Sequence, residues 1–370
     1  MRFTAARAGL AAGLATIARI VERRTTIPIL AHLKLEAGEG GLMLTGTDLD
    51  MVATVTVPAS IEEDGVATAP AAMLHDIVRK AEGEISFARD EGRLIVKSGR
   101  SRVQLLALDA ADFPDLAAGE LPVAFTMRGS MLADALGRTS FAISTEETRY
   151  YLNGVFIHCA TDEDGPVLRL VSTDGHRLSR VGLSLPRGAE GMPGIIVPRK
   201  AVPEIVRLAE AAGEELLDIA LSNGKLRVAF GGTVLLTKTV DGTFPDYERV
   251  IPKENDKRAV LAREEVVAAV ERVLTVSSEK GRAMRCTFAD GALTLQVHSP
   301  DHGEATDEVP IDWTGAPFTI GFNGRYLVEV LAALGADKVE IAMSEPGAPA
   351  VLTQADGDSP HLCVLMPMRV

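Results

Sequence analysis

The residues best suited to chemistry stand at Asp174-Gly-His-Arg177, where a carboxylate lies two residues from an imidazole. In a hydrolase, such a pair would supply a general base and the group that orients it. The pair needs a nucleophile or a metal ion, and the sequence contains no convincing candidate for either. A turn that caps a strand explains the same residues, because Asp bonds its own backbone and Gly accepts unusual φ angles. The sequence therefore favours a structural turn, with a hydrolase built on Asp174 and His176 as the alternative.

The other residues that often bind metals are too scattered to form a site. His298 and His302 are four positions apart, but they flank a Ser-Pro-Asp turn and do not share a helix face, which argues against zinc. Cys159, Cys286 and Cys363 are isolated and lack metal-ligand spacing, so we expect buried free thiols. Neither a Gly-x-Gly-x-x-Gly run nor a P-loop occurs. The sequence predicts no catalytic residue, no metal and no cofactor.

Length and composition are typical of a globular protein, and the N-terminus favours a location in the cytoplasm. The chain has 370 residues, of which 46% are hydrophobic, and its net charge is −13. No apolar run reaches the ~18 residues of a membrane span. The N-terminus, Met1-Arg2-Phe3-Thr4, lacks the charged-then-apolar pattern of a signal peptide. The negative charge argues against bulk attraction of nucleic acid but leaves room for a local basic surface.

Three weak copies of one pattern follow one another, each about a third of the chain long. The clearest marks are Thr47-Asp-Leu49, Thr173-Asp-Gly175 and Pro300-Asp-His302, and each comes directly after a strand-like run. A further mark pairs Phe113-Pro-Asp-Leu116 with Phe244-Pro-Asp-Tyr247. Because the repeating unit is as large as a domain, the pattern excludes a solenoid of short repeats.

Each copy also contains two helix-like stretches, in which apolar residues recur every three or four positions. The second stretch of each copy opens at Pro70, Pro198 or Asn323. Short strand signals separated by turn residues lie between the helices. We therefore predict an α+β protein of three similar domains, each with two helices and antiparallel sheets. The predicted domains are residues 1–120, 121–252 and 253–370.

Eight short motifs occur along the chain from Met1 to Val370 in a fixed order. They are Thr25-Thr-Ile-Pro-Ile-Leu30, Thr45-Gly-Thr-Asp-Leu-Asp50, Ser98-Gly-Arg-Ser-Arg102, Arg149-Tyr-Tyr-Leu-Asn-Gly154, Thr173-Asp-Gly-His-Arg-Leu178, Val197-Pro-Arg-Lys200, Phe244-Pro-Asp-Tyr247 and Met366-Pro-Met-Arg-Val370. In order and spacing the set resembles the bacterial DNA polymerase III β subunits, the sliding clamps. The resemblance implies a non-catalytic processivity factor for the replicative polymerase: a head-to-tail homodimer whose six domains close a ring around duplex DNA, with helices lining the hole. It also implies a cytoplasmic protein associated with the nucleoid at replication forks.

The resemblance further implies which residues contact DNA. The matching positions are Arg24, Arg79, Lys80, Arg149, Tyr150, Tyr151, Arg199 and Lys200. A ring held by topology needs only loose contacts, because each phosphate contact adds non-specific affinity that would slow sliding. The chain departs from the family at Ser144-Thr-Glu-Glu-Thr148, which places Glu146 and Glu147 where polar or basic residues are common. It departs again at Glu279-Lys-Gly-Arg-Ala283, which lacks an aromatic residue after the lysine.

A hydrophobic pocket for partner peptides is the second implied site. The matching positions are Leu152, Thr173, Gly175, His176, Arg177, Leu178, Pro245, Arg249, Val250, Val364, Met366, Pro367, Met368 and Arg369. Leu, Val, Pro and Met supply an apolar floor, and Met adapts to several ligands. Arg177 and Arg249 are expected at the rim, where they would hold acidic or carbonyl groups of an extended peptide. The implied partners are the polymerase α subunit, clamp-loader subunits, other polymerases and repair proteins.

The resemblance also implies the dimer interface, which joins the first third of one chain to the last third of the other. The expected apolar contacts are Val103 and Leu105 on one side and Val276 on the other, in a helix ending at Ser277-Ser278. The two interfaces of such a ring are identical to each other, and each joins two different surfaces. A dimer mass and retention on circular DNA would distinguish this hypothesis from the hydrolase.

Overall fold

The computed structural model describes residues 1–163, 165–277, 283–355 and 359–370. It forms two compact units. The first unit comprises Met1–Ser130 and Pro203–Thr239, and the second comprises Met131–Val202 and Val240–Val370. Among the described residues, no helix is long and apolar enough to cross a membrane.

Each third of the chain contributes two α-helices, as the apolar spacing predicts. The helices are α1 (Arg7–Ile20), α2 (Ala71–Lys80), α3 (Gly129–Ser140), α4 (Val202–Ala212), α5 (Arg263–Leu274) and α6 (Gly324–Leu334). Two predicted boundaries are wrong. Pro198 ends a strand, and α4 begins only at Val202, because a tight turn closed by the Ala201 N–H and the Pro198 carbonyl intervenes. Helix α5 ends at Leu274, and the β-branched and hydroxyl residues after it, which disfavour helix, continue only as a turn.

The first unit contains two antiparallel sheets. Its strands are β1 (Arg2–Ala6), β2 (His32–Gly38), β3 (Gly41–Thr47), β4 (Met51–Val57), β5 (Ala59–Glu63), β6 (Gly65–Pro70), β7 (Glu84–Asp90), β8 (Arg93–Ser98), β9 (Ser101–Leu106), β10 (Val123–Arg128), β15 (Leu216–Leu221), β16 (Lys225–Phe230) and β17 (Thr233–Lys238). The sheet orders are β5-β1-β7-β8-β9 and β10-β15-β16-β17-β4-β3-β2-β6. Helix α1 packs closely on this second sheet because Gly46 has no side chain: a Cβ there would lie 2.5 Å from Ile17 Cγ2.

The second unit also contains two antiparallel sheets. Its strands are β11 (Gly154–Asp162), β12 (Gly165–Thr173), β13 (Arg177–Ser184), β14 (Ile195–Pro198), β18 (Lys257–Ala262), β19 (Ala283–Ala289), β20 (Ala292–Ser299), β21 (Gly303–Pro310), β22 (Phe318–Asn323), β23 (Lys338–Met343), β24 (Ala350–Gln354) and β25 (His361–Leu365). The sheet orders are β14-β11-β12-β13-β25-β24-β23-β18 and β21-β20-β19-β22. Helices α5 and α6 pack over a core that includes Val270, Phe322 and Leu331.

Each of the two eight-stranded sheets combines strands from two different repeats of the sequence. In the first unit, β17 of the middle third pairs with β4 of the first third, with Thr233 opposite Val55. In the second unit, β13 of the middle third pairs with β25 of the last third, with Arg177 opposite Leu365. The repeats are therefore fused by continuous hydrogen-bonded sheets. The β13–β25 pairing also brings the middle-third motifs beside the C-terminus of the chain.

Candidate functional site

The Asp174 carboxylate closes a turn and is not paired with an imidazole. Its Oδ1 accepts hydrogen bonds from the backbone N–H groups of His176 at 2.9 Å and Arg177 at 3.0 Å. The Thr173 hydroxyl accepts from the Gly175 N–H and donates to the Arg177 carbonyl. Gly175 has a φ of 87°, which favours glycine. The predicted structural turn is confirmed, and the geometry does not place Asp174 as an orienting partner for His176.

The first copy of the repeat contains the same turn. Asp48 Oδ1 accepts from the N–H groups of Asp50 and Met51, and the Thr47 hydroxyl makes the matching pair of bonds. Leu49 has a φ of 78° at the position that Gly175 occupies in the second copy. Two copies thus share one hydrogen-bonding scheme, which supports a structural origin for the motif.

The cysteines and histidines form no metal site within the described part of the chain. Cys286 and Cys363 are buried free thiols, as predicted, and burial raises the pKa of each to about 12. Cys159 is only half-buried, and its thiol donates to the Ala189 carbonyl.

An apolar cluster of the second unit contains part of the residue set predicted for the pocket. Three predicted residues, Leu152, Leu178 and Val364, belong to this cluster. Sequence reasoning did not assign its other members to the pocket; they are Val171, Ile196, Phe244 and Tyr247. The first two lie in strand-like runs, and the aromatic pair lies in the Phe-Pro-Asp-Tyr motif. The signal was therefore present in the sequence, but it did not show which side chains point inward.

A short 3-10 turn at Tyr247–Val250, which we call the rim turn, borders this cluster. Tyr247 points inward and is 6% exposed, whereas Arg249 and Val250 are exposed, as is Pro245 just before the turn. Arg249 pairs within the segment, since its Nε lies 2.7 Å from Asp246 Oδ2. The rim turn therefore presents one cation and one apolar side chain beside a buried aromatic base.

The C-terminal segment Met366–Val370, which we call the tail, is tied to the turn before β13 and to strand β22. The Met366 N–H donates to the His176 carbonyl at 2.9 Å, and the Met368 N–H donates to the Gly321 carbonyl at 2.8 Å. Met366, Met368 and Arg369 stay exposed, while Pro367 is half-buried. Proline has no N–H to donate, so strand pairing cannot continue through it. The tail thus offers two methionine side chains from a fixed backbone.

Arg177 does not lie at the rim, which corrects its predicted role. It is 9% exposed, and all three of its guanidinium nitrogens are engaged within the chain. Nε bonds Asp174, Nη1 bonds Glu329, and Nη2 bonds the Phe141 carbonyl at 2.7 Å. The guanidinium also stacks on the Tyr326 ring at 4.3 Å. Arg177 therefore fastens β13 to α6, and Arg249 remains as the exposed cation of the predicted rim pair.

The predicted DNA-contacting residues fall into two groups, one in each unit. In the first unit, Arg24, Arg79 and Lys80 are exposed, and Arg79 pairs with Asp76 at 3.4 Å. These cations lie near helix ends: α1 ends at Ile20, and Arg79 and Lys80 form the last turn of α2.

In the second unit, Arg149, Tyr150 and Tyr151 lie on a 3-10 turn, and the Arg199 N–H donates to the Asn153 carbonyl at 2.9 Å. This bond brings the segment with Arg199 and Lys200 beside the aromatic pair. Tyr150 is 53% exposed and Tyr151 is half-buried. Glu146, one of the two unusual acids, pairs with Arg149 at 3.2 Å. The Glu279–Ala283 departure falls mostly outside the described residues, which resume at Ala283.

The predicted dimer contacts are unequally exposed. On β9, Val103 is half-buried and Leu105 is only 4% exposed, whereas Leu106 is 71% exposed. Successive side chains of a strand alternate between its faces, so the inward Leu105 belongs to the core of its own unit. Val276 is half-buried beyond the end of α5, and Ser278 lies outside the described residues. Leu106 was not among the residues predicted from the sequence, but it exposes more apolar surface than Leu105.

The chain matches known proteins over its whole length. Models of the N-terminal, central and C-terminal domains of the DNA polymerase III beta subunit match residues 1–117, 126–246 and 248–369. Beta sliding clamps of Caulobacter vibrioides NA1000 and Pseudomonas putida KT2440 are 42% and 38% identical to it, each aligned over 100% of both chains.

Solved structures agree with these matches. A DnaN sliding clamp from Bartonella birtlesii, bound to griselimycin, superposes with a TM-score of 0.97 at 42% identity, covering 100% of both chains. The DNA polymerase III subunit beta of Pseudomonas aeruginosa gives 0.93 at 36% identity and the same coverage. Sequence and fold thus agree along the entire chain, which belongs to the DNA polymerase III beta subunit family, the beta sliding clamps.

Proposed function

We propose that the protein is a DNA sliding clamp that encircles duplex DNA and makes the replicative DNA polymerase processive. The observation that carries this proposal is the match of three consecutive domain models, together with the fold, over the full chain. The working form is a head-to-tail homodimer, in which domains of residues 1–120, 121–252 and 253–370 occur twice. The clamp is not an enzyme, and we place it in the cytoplasm, associated with the nucleoid at replication forks.

Contact with DNA is proposed to be weak and independent of sequence. A net charge of −13 repels phosphates overall, so the ring has to retain DNA by closure. The proposed contacts are Arg24, Arg79, Lys80, Arg149, Tyr150, Tyr151, Arg199 and Lys200. Two of these arginines are already paired with acids of their own chain, which weakens their attraction for phosphate. Such loose contacts suit a protein that must slide.

The Glu146–Arg149 ion pair allows a test in which one substitution should weaken DNA binding and the other should strengthen it. We expect Arg149→Ala to weaken binding of the dimer to a short linear duplex by about twofold, because exposed ionic contacts are worth only ~0.2–1 kcal/mol. Glu146→Gln should strengthen binding by a similar factor and steepen its salt dependence, because it frees Arg149 to meet phosphate. Fluorescence anisotropy of a labelled duplex over a salt series measures both.

Arg258→Ala is the matched control for these variants, since Arg258 is an equally paired surface arginine outside the proposed DNA contacts. It should leave binding unchanged.

The combined Arg24→Ala, Arg149→Ala change should reduce residence on primed circular DNA only modestly. Complete loss of retention by an intact ring would contradict the loose-contact proposal and show that direct binding holds the DNA.

The second proposed site is the peptide pocket of the second unit. Its floor is the apolar cluster with Leu152, Leu178 and Val364, and its borders are the rim turn and the tail. The full proposed set is Leu152, Thr173, Gly175, His176, Leu178, Pro245, Arg249, Val250, Val364, Met366, Pro367, Met368 and Arg369, with Arg177 as a support beneath it. Clamp relatives from B. birtlesii and P. aeruginosa are each described as bound to griselimycin, and we propose that this pocket binds the same ligand.

The partners proposed for the pocket are short peptide motifs of the polymerase α subunit, the clamp-loader subunits, other polymerases and repair proteins. An apolar base with exposed methionines adapts to several sequences, as a shared site requires. Because the proposal gives each chain one such pocket, partners would compete for it and exchange on a single ring. Competition between two unrelated partner peptides for one pocket per chain, measured by anisotropy, tests this directly. Simultaneous binding of both peptides to one pocket would contradict it.

A further inference from the structure

A buried arginine lies beside the rim turn, outside the residues assigned to the pocket. Arg169 of β12 is 3% exposed. Its Nη1 donates to Glu248 Oε1 at 2.9 Å, and its Nη2 donates to the Asp162 carboxylate. A buried guanidinium is tolerated only where carboxylates compensate its charge. Glu248 belongs to the rim turn, so this ion pair ties the turn to the sheet.

A second arginine holds the same carboxylate. Arg180 of β13 lies 3.4 Å from Glu248 Oε2 through its Nη1. Arg180 pairs in register with Val171, two residues along β12 from Arg169, so the two cations stand on neighbouring strands. Glu248 is therefore fixed from two directions, which restricts the rotation of the rim turn more than a single pair would.

The residue before Glu248 is locked as well. The Tyr247 hydroxyl lies 2.9 Å from His158 Nε2, and His158 Nδ1 lies 2.8 Å from the Cys159 carbonyl. Burial lowers the pKa of His158. Nδ1 donates to the Cys159 carbonyl, which can only accept, and in the neutral ring Nε2 then accepts the tyrosine proton. Phe156 stacks on both His158 and Phe244, at 4.5 and 4.9 Å between ring centres.

The two residues that follow Glu248 have no such anchoring in their side chains. The Arg249 side chain is 84% exposed and pairs with Asp246 of the same segment, and Val250 is 50% exposed. Both are proposed to contact partner peptides. Their position follows from the backbone of the rim turn, which is held by the buried ring of Tyr247 and by the ion pairs of the half-exposed Glu248 side chain.

We propose that Glu248, clamped by Arg169 and Arg180, is a positioning residue that sets where Arg249 and Val250 meet a partner peptide. Glu248 itself need not touch the peptide. This inference rests on the proposed function of the pocket. It adds that the specificity of the rim turn depends on ion pairs that join this turn to strands β12 and β13, at residues that no pocket motif includes.

The test is a double-mutant cycle between Glu248 and Arg249. Glu248→Gln keeps the shape of the side chain and leaves Arg169 its bond to Asp162, so the fold should persist. We expect Glu248→Gln and Arg249→Ala each to weaken a labelled polymerase α peptide about fivefold, as expected for contacts that matter at an interface. The double variant should be hardly weaker than either single one, because a displaced Arg249 has no contact left to lose.

Glu340→Gln is the control, since it breaks a surface ion pair with Arg258 in the same unit. It should not change peptide affinity. Arg169→Lys supplies a second variant, because lysine keeps the charge but loses the planar fork that bonds two carboxylates, and it should reproduce the Glu248→Gln effect. Unchanged affinity in Glu248→Gln, or fully additive losses in the double variant, would overturn the inference. Failure of the unmodified protein to bind the peptide would instead refute the pocket.

Discussion

Deleting the tail, Met366–Val370, is expected to lower the affinity for partner peptides at least about a hundredfold while leaving a folded dimer. Peptide grooves concentrate their binding energy in a few apolar contacts, so the loss of one wall costs about 3 kcal/mol. The tail follows the last residue of β25, and two backbone hydrogen bonds tie it to the rest of its unit. Peptide titration by fluorescence anisotropy, paired with gel filtration, measures both outcomes.

The variant Gly321→Val tests whether peptide affinity depends on the position of the tail, because it displaces the tail without changing its residues. A Cβ at Gly321 would lie 2.3 Å from the Met368 carbonyl oxygen, so the tail has to move although every tail residue is present. Peptide affinity should fall, but less than after deletion, because Met366 keeps its bond to the His176 carbonyl. Gly137→Ala is the matched control, since nothing lies within 4 Å of its added Cβ. Normal peptide affinity in the tail deletion would place the partner site elsewhere.

Placing glutamates at Leu106 and Val276 together is expected to convert the dimer to monomers. Leu106 is 71% exposed on β9, which is an edge strand of its sheet. An interface that buries both side chains would have to desolvate two new charges, each at a cost of several kcal/mol. Gel filtration with light scattering at low micromolar concentration should then report a mass near 39.2 kDa, that of one chain.

Leu216→Glu is the control for this change, because Leu216 is 58% exposed and has no proposed interface role. It should leave the dimer intact. A charge at Leu105 would not serve this test, because Leu105 is 4% exposed and a charge there would disrupt the core of the first unit, so that dissociation could not be told from unfolding. Dimers that persist in the Leu106, Val276 double variant would contradict the proposed interface.

Local patterns in the sequence predict the repeats and the helices well. The apolar positions Leu10, Leu14 and Ile17 are all buried on α1, and Asn323 caps α6 with its side chain. These features depend on neighbours within a few residues. The pairing that joins two thirds of the chain does not depend on such neighbours. Strands β4 and β17 are far apart in the sequence, and no local pattern predicts that they pair. The limits of the three domains therefore remain a proposal.

In the candidate site, too, local features could be predicted from the sequence and contacts between distant residues could not. The motif with Asp174 predicts a turn because its hydrogen bonds are local, and the structure contains those bonds. The role of Arg177 could not be predicted, because Glu329 and Tyr326, which engage its guanidinium, come from a helix in the last third. Leu105 and Leu106 show a second limit: adjacent apolar residues reveal a strand but not which of them faces its own core.

Retention on circular DNA is the most direct test of the central claim, that the protein holds DNA by encircling it. The labelled protein is loaded onto primed circular DNA with its cognate clamp loader and passed through a gel-filtration column at a salt concentration that suppresses ionic contacts. We predict that it stays with the circular DNA and is lost when the same DNA is linearised before the column. Equal retention on circular and linear DNA, or none on either, would contradict a topological ring.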